Sequence, residues 1–119
     1  MKTKLRVSAN KICSLEHAVN AISGKWKIPI VWHIQHGAHR PSDFFYRIAD
    51  INRRVLSRQL KELEDSGIVH KTTLRPKPLE VAYDLTPLGN RLVAILWQLD
   101  GWGKELLGQE PREPWTPFA

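Results

Sequence analysis

Cys13 and His17 stand four residues apart, which on a helix places a thiol one turn from an imidazole. Such a pair resembles the nucleophile and the base of a thiol enzyme. The sequence offers neither a third residue to orient the imidazole nor a loop that would form an oxyanion hole, so we expect no enzyme. Cys13 also directly precedes a predicted helix and follows Lys11 closely, a setting that raises thiol reactivity. Two interpretations of Cys13 stay open: an oxidant sensor and an inert cysteine at a dimer interface.

Three histidines, His33, His36 and His39, recur every three residues and invite a metal-site interpretation. On a helix His33 and His36 align only loosely, and this stretch carries no carboxylate or thiol, so we expect no metal site. With a single cysteine, neither a zinc ribbon nor an intrachain disulfide can form. The chain also lacks a glycine loop that cradles phosphate, and we expect no cofactor.

The stretch 51–67 carries the most specific chemistry. It predicts one helix, with Asn52 as its N-cap and Gly67 as its stop. Four apolar residues gather on one side of that helix, which we expect to be buried: Val55, Leu56, Leu60 and Leu63. Four polar or basic residues share the opposite side at i, i+3, i+4 and i+7: Arg54, Ser57, Arg58 and Lys61.

The order of charge along this helix opposes its own dipole. Arg53 and Arg54 stand at its start, whereas its end carries three acids, Glu62, Glu64 and Asp65. Each misplaced charge costs about 0.3–1 kcal/mol. The order suits a helix whose positive end docks on a polyanion, as the recognition helix of a DNA-binding protein does in the major groove. The ordinary alternative is a solvated basic face on a surface helix.

The composition is that of one globular domain with an anionic partner. The 119 residues are 42% hydrophobic and 25% charged, with a formal net charge of +6. Residues 1–39 carry a net +5 and residues 40–77 a net +4, whereas residues 78–119 carry −3. No apolar run approaches the roughly 18 residues of a membrane span, and the N-terminus lacks the apolar region of a signal peptide. We therefore expect a cytoplasmic protein with no membrane partner.

The first half of the chain predicts three short helices before the basic one. Apolar residues on one face mark residues 15–22 as the first and residues 25–35 as the second. Ser42 is the expected cap of the third, with Asp43 near the positive end of its dipole. A short connection then leads into the helix over residues 52–66, so the third and fourth helices form a helix-turn-helix.

After Gly67 the pattern changes to that of β structure. Residues 68–74 are rich in β-branched side chains and residues 80–85 alternate polar with apolar, which predicts a hairpin. The loop between them, residues 75–79, is stiffened by two prolines and projects Arg75 and Lys77. A stiff basic hairpin directly after a recognition helix indicates the wing of a winged helix, with both bases on phosphates. The alternative is a surface hairpin whose prolines only blunt a sheet edge.

The last predicted helix begins at Thr86, the cap, and Pro87. Its apolar residues repeat at intervals of 4, 3, 4, 3 and 4: Leu88, Leu92, Ile95, Leu99, Trp102 and Leu106. A second flank is covered by Val93, Leu96 and Trp97. Because a helix that is apolar on two sides needs two surfaces to pack against, one is the domain and the other is a second copy of this helix. The alternative is a core helix buried within one monomer.

With this order of elements, the sequence resembles the HxlR-type winged-helix transcriptional regulators, a MarR-like family. The matching residues are 13–18, 24–28, 40–44, 55–64, 83–89 and 102–103. The resemblance implies a homodimer built from the N-terminal segment and the last helix, with a recognition helix and wing of each protomer on a pseudo-palindromic operator. It also implies that some relatives sense electrophiles or oxidants with the cysteine that matches Cys13. Ser14 departs from the family, which usually has proline there.

These observations predict a mainly α fold with a small β-hairpin wing, in a homodimeric regulator that binds double-stranded DNA sequence-specifically. We expect a basic arm over residues 1–12, the domain over residues 13–107 and a flexible tail over residues 108–119. The expected DNA-binding residues are Ser42, Asn52, Arg53, Arg54, Ser57, Arg58, Gln59, Lys61, Arg75 and Lys77. The expected dimer interface consists of Leu15, Leu88, Leu92, Ile95, Leu99, Trp102 and Leu106. A small-molecule or oxidant effector suits such a regulator. The rival interpretation is a winged-helix protein–protein module whose basic face meets an acidic partner.

Overall fold

A computed structural model describes residues 13–109 as five helices and one antiparallel hairpin. In chain order the elements are α1 Cys13–Ile22, α2 Lys27–Gln35, α3 Pro41–Arg47, α4 Arg53–Asp65, β1 Val69–Pro76, β2 Leu79–Leu85 and α5 Pro87–Leu106. The mainly α fold with a two-stranded wing is therefore confirmed. The predicted arm over residues 1–12 and the predicted tail beyond residue 109 lie outside the described residues.

Helix α4 begins and ends where its sequence predicts. The side-chain oxygen of Asn52 accepts a hydrogen bond from Val55 N–H at 2.8 Å, which satisfies one of the amides left free at a helix start. Gly67 ends the helix with a left-handed φ of 78°, a conformation that costs glycine little. The buried side consists of Leu56, Leu60 and Leu63.

The core lies where α4 meets α2, α3 and the base of the hairpin. Its most deeply buried side chains are Ile30 and Val31 of α2, Phe44 of α3, and Leu63 of α4, each at most 1% exposed. Val55, predicted to be inward, is only partly buried at the edge of this cluster. The core thus holds the back of α4 and leaves its opposite side outward.

The cap of α3 differs from the sequence prediction. Arg40, not Ser42, is the N-cap, and Ser42 lies inside the first turn with an exposed side chain. Asp43 Oδ2 accepts from the N–H groups of Arg40 and His39, both at 3.0 Å. The prediction failed because the helix begins one residue before Ser42, at Pro41, and Asp43 reaches back to the backbone of the N-cap.

The hairpin is longer and its turn tighter than predicted. Strand β1 extends to Pro76 and β2 starts at Leu79, so the connection is the two residues Lys77 and Pro78 and not the loop 75–79. Arg75 therefore belongs to β1, where it lies opposite Glu80 after an irregularity in the register. Beyond Val69, every residue of β1 is exposed. The wing thus projects from the domain as a paired ribbon.

Helix α5 packs on the domain through only one of its two apolar flanks. Thr86 caps it, its hydroxyl oxygen accepting from Gly89 N–H at 3.0 Å, as predicted. Val93 and Leu96 are buried against the core. A Cβ built on Gly89 would overlap the carbonyl oxygen of Ile68, so only glycine lets the helix approach the hairpin base this closely. No helix within residues 13–109 is long and apolar enough to cross a membrane.

Candidate nucleic-acid interface

The outward side of α4 presents its predicted polar and basic side chains to solvent. Arg53, Arg54, Ser57, Arg58 and Lys61 are all exposed. Within the part of the chain that the structure describes, neither Arg54 nor Arg58 takes part in an ion pair. Two guanidinium groups spaced one helical turn apart are therefore available for hydrogen bonds to a ligand outside the chain.

Four other side chains of α4 and its cap are partly committed within the fold. The amide oxygen of Asn52 is used by the N-cap, and Gln59 is half-buried beside the exposed face. The guanidinium of Arg53 lies 5.8 Å from the centroid of the Phe45 ring of α3. Lys61 Nζ lies 3.2 Å from Asp65 Oδ1, one turn further along α4. Because that ion pair is exposed, it is weak enough to yield to a phosphate.

One acid near the end of α4, Glu62, forms an ion pair with α2. Glu62 Oε1 lies 2.8 Å from Nζ of Lys27, whose residue is only 8% exposed. The hydrogen bond from Lys27 and its charge hold the pKa of Glu62 below the ordinary glutamate value. The carboxylate is thus ionised and neutralised locally, which reduces its repulsion toward an anion on the outward side.

The wing and the start of α3 supply further polar groups outside α4. Arg75 and Lys77 are exposed, and Lys77 lies in the turn itself. Arg40 Nη1 lies 4.0 Å from Glu80 Oε1, the carboxylate of the residue paired with Arg75. Ser42 is also exposed on the first turn of α3.

A second exposed surface is apolar and lies on α1 and α5. No residue of α1 is buried, and Leu15 is 57% exposed. Leu92 is half-buried, whereas the rest of the predicted α5 seam is exposed, from 46% at Leu88 to 70% at Leu106: Leu88, Ile95, Leu99, Trp102 and Leu106. A groove of about 410 Å³ separates the two helices. Among the described residues, the seam lies outside the buried core, with only Leu92 packed against it.

Cys13 and the histidines of the α2 region lie in different surroundings. Cys13 is exposed and is the first residue of α1, not the residue before it. His36 Nδ1 lies 2.9 Å from the carbonyl oxygen of Trp32, and its ring stacks on that indole. Burial, with Arg47 and His36 adding to it, lowers the pKa of His33 below the ordinary histidine value. Residues 13–109 contain no group of three or more His, Cys, Asp or Glu side chains arranged for a metal ion.

Sequence reasoning missed two residues that join the elements of this candidate site to one another. Lys27 was not singled out, although a lysine between Trp26 and an apolar helix is a candidate for burial with a partner. His39 was considered only as a metal ligand, whereas in the structure it contacts the wing strand β2. Both contacts join segments distant in sequence, so spacing alone gives no signal for them.

Comparison with known proteins gives one consistent result. Residues 21–111 match the family model described as HxlR-like helix-turn-helix. A relative from Methanothermobacter thermautotrophicus, described as an uncharacterized HTH-type transcriptional regulator, is 41% identical over 93 residues, which is 78% of this chain and 71% of that protein.

Two solved structures share the fold. The crystal structure of the HTH-type transcriptional regulator YtcD aligns with a TM-score of 0.73 and 32% identity, over 81% of this chain and 98% of YtcD. The oxidized form of the redox regulator HypR aligns with a TM-score of 0.68 and 36% identity, over 78% of this chain and 96% of HypR. These relatives are described as regulators and not as enzymes. The matched family model, the relatives and the winged architecture together show that this chain belongs to the HxlR-like helix-turn-helix family of transcriptional regulators.

Proposed function

We propose that this chain is a sequence-specific regulator that binds double-stranded DNA as a homodimer. The observation that carries the proposal is the outward side of α4, where Arg54 and Arg58 are exposed and take part in no ion pair among the described residues. Two exposed guanidinium groups that take part in no ion pair suit a surface that meets an external anion.

The proposal assigns base contacts to one group of side chains and phosphate contacts to another. Within the major groove, four side chains of α4 contact base edges: Arg54, Ser57, Arg58 and Gln59. On either side of the groove, five side chains contact the phosphate backbone: Ser42, Arg53, Lys61, Arg75 and Lys77. Asn52, the N-cap of α4, lies beside Arg53 and is also assigned to the DNA-binding surface. Base contacts give sequence preference, whereas phosphate contacts give affinity for any duplex.

The dimer follows from the exposed apolar residues of α1 and α5. Several large apolar side chains on adjacent helices form a patch of the kind that marks a protein–protein interface. In a dimer with twofold symmetry, this patch on one copy would contact the same patch on the other copy. Two α4 helices about 34–36 Å apart would then meet successive major grooves, which predicts a pseudo-palindromic operator.

We further propose that Cys13 makes DNA binding responsive to oxidants. Its exposed position on α1, inside the proposed interface, supports this, as does the likeness to HypR, a redox regulator. Since the chain has one cysteine, peroxide would oxidise two thiols from two chains to one disulfide, with two waters as the other product. Treatment with hydrogen peroxide should change the DNA affinity of the wild type and not of Cys13→Ser. An equal response in both proteins would contradict the sensor role.

Selection of bound duplexes from a random pool tests the DNA-binding proposal. We expect enrichment of a motif with two related half-sites about 10–10.5 base pairs apart, centre to centre. A pool that stays random after repeated selection would contradict sequence-specific binding. Enrichment of an unpaired single half-site would contradict the dimeric arrangement while leaving the role of α4 intact.

A further inference from the structure

His39, in the turn between α2 and α3, contacts the wing through both its backbone and its ring. Its carbonyl oxygen accepts a hydrogen bond from Tyr83 N–H of β2 at 2.8 Å. Its Nδ1 lies 2.9 Å from the carbonyl oxygen of Tyr83 and 3.0 Å from Oδ1 of Asp84. Its own N–H donates to Asp43 Oδ2 at 3.0 Å. One residue therefore ties the helix-turn-helix to the wing strand.

The chemistry of these partners fixes which ring nitrogen of His39 carries a proton. Both groups near Nδ1 are oxygens that accept hydrogen bonds, a carbonyl and a carboxylate, so Nδ1 must be the donor. In an antiparallel pair of strands, two opposite residues exchange two backbone hydrogen bonds, so the N–H of His39 would donate to the carbonyl oxygen of Tyr83. That N–H instead donates to Asp43 Oδ2. The imidazole Nδ1–H thus replaces the missing backbone donor.

The tie lies at the base of the wing, whereas most of β1 is exposed. A two-stranded hairpin is marginal alone, and β1 is exposed from His70 to Pro76. Tyr83, 8% exposed, is the buried residue of β2. From Tyr83 to Leu79, beside the turn, the strand runs about 13 Å at about 3.3 Å per residue. A small tilt at His39 therefore becomes a large displacement of Lys77.

The only other ion pair that joins the same turn to β2, among the residues described, is between Arg40 and Glu80. Its atoms are 4.0 Å apart, and both side chains are more than one-third exposed. A contact of that length adds little to the direction of the wing. Exposure does not separate it from the pair of His39 with Asp84, whose side chains are 43% and 58% exposed. The hydrogen bond of His39 Nδ1 to Tyr83 and its 3.0 Å contact with Asp84 Oδ1 are shorter and lie at the base of the hairpin.

We propose that His39 is a positioning residue that holds the wing at the angle at which Arg75 and Lys77 reach the DNA backbone. The inference rests on the proposed DNA-binding function. It deepens that function by making the wing's part of the phosphate-directed affinity depend on a contact made outside the interface itself.

Two amide substitutions distinguish the two ring nitrogens. In His39→Asn the amide nitrogen takes the place of Nδ1, whereas in His39→Gln it takes the place of Nε2 and cannot reach Tyr83 in the same way. We would measure binding of the full-length protein to a labelled random-sequence duplex by fluorescence anisotropy, from about 50 to 200 mM salt. We expect His39→Gln to bind about 3–10-fold more weakly, with a salt slope lower by about 1, and His39→Asn to stay within about twofold of the wild type.

His36→Gln is the matched control, because this histidine lies in the same region and its Nδ1 contacts Trp32, not the wing. It should bind as the wild type does. The decisive comparison repeats His39→Gln in a protein that also carries Arg75→Ala and Lys77→Ala. There the wing no longer contributes, so His39→Gln should change affinity by less than about 1.5-fold further.

Each other outcome overturns the inference. An equal loss from His39→Gln with and without the wing bases would show that His39 acts elsewhere. Wild-type binding by His39→Gln, or an equal loss in His39→Asn, would refute the role of Nδ1. Loss of the folded state in His39→Gln would make His39 a residue required for the fold. If the wild type bound no duplex at all, the proposed function itself would fail, a result distinct from any of these.

Discussion

Lys27 Nζ lies 2.8 Å from Glu62 Oε1, and this ion pair joins α2 to the C-terminal half of α4. The two partners are not equivalent, since the lysine side chain is 11% exposed and the glutamate side chain 47% exposed. A buried ammonium group without its partner is costly, whereas an exposed carboxylate without its partner is hydrated by water. The pair therefore fixes the position of α4 along α2. Substituting the two partners should change the free energy of unfolding by different amounts.

We predict that Glu62→Ala destabilises the fold more than Lys27→Met. Glu62→Ala leaves the buried ammonium unpaired, whereas Lys27→Met keeps an apolar side chain of similar length and leaves the carboxylate in water. Urea unfolding followed by circular dichroism would compare the two. Asp65→Ala, which removes the exposed pair with Lys61, is the control and should cost less than about 0.5 kcal/mol. A larger loss in Lys27→Met than in Glu62→Ala would refute this account of the pair.

We predict that Asp43 contributes to the acid sensitivity of the fold. Hydrogen bonds from two backbone N–H groups hold the pKa of its carboxyl below the ordinary aspartate value. The bond from Arg40 has the larger effect and that from His39 the smaller. A lowered folded-state pKa gives stability that is complete above the ordinary value, about 3.9, and is lost as the pH falls through the folded value. Asp43→Asn should therefore cost about 1 kcal/mol of unfolding free energy at pH 7. The difference from the wild type should shrink toward pH 2 or so, and a constant difference would contradict this.

We predict that Gly89→Ala destabilises the fold by about 2 kcal/mol because its Cβ would overlap the carbonyl oxygen of Ile68. Relief requires α5 to move away from the hairpin base, where Thr86 also hydrogen-bonds the backbone. Gly101→Ala, also in α5, is the control, since an added Cβ there meets nothing within 4 Å. It should be neutral or stabilise by up to about 1 kcal/mol through helix propensity. Equal changes of unfolding free energy in both variants would show that Gly89 is not a packing requirement.

We predict that Ile95→Lys converts a dimer to a folded monomer. Ile95 is 61% exposed within one chain, so lysine is tolerated there until a second copy covers it, when its charge must be buried. The dissociation constant of the dimer, measured by sedimentation equilibrium, should rise at least about a hundredfold. Ala94→Lys is the control, because the preceding residue points about 100° away from the seam. A wild type that sediments as a monomer would contradict the proposed interface.

The elements set by local chemistry were predictable from the sequence. The cap at Asn52, the stop at Gly67 and the cap at Thr86 all depend on residues within a few positions of the helix end, and each prediction is confirmed. The heptad spacing of α5 likewise predicted an apolar seam apart from the flank that carries Val93 and Leu96. Periodicity is a property of one helix and needs no knowledge of its neighbours.

The errors arose where the outcome depends on contacts across the fold. Ser42 looked like a cap, but α3 begins before it, at Pro41, and Asp43 bonds the backbone of the N-cap Arg40. Prolines suggested a five-residue wing loop, but pairing between strands continues to Pro76. The tie between His39 and Tyr83 joins residues 44 positions apart and has no sequence signature. Such contacts depend on the relative placement of elements, which composition and spacing do not specify.

Binding of Arg58→Ala and Lys77→Ala to selected and to random duplexes tests the central claim most directly. The claim is that α4 reads bases while the wing holds phosphates. On that account, Arg58→Ala loses about 1–3 kcal/mol on the selected duplex and relaxes the preference at one base pair, whereas Lys77→Ala weakens selected and random duplexes alike. If both substitutions weakened both duplexes by the same factor, α4 would not be reading sequence and the account would be wrong.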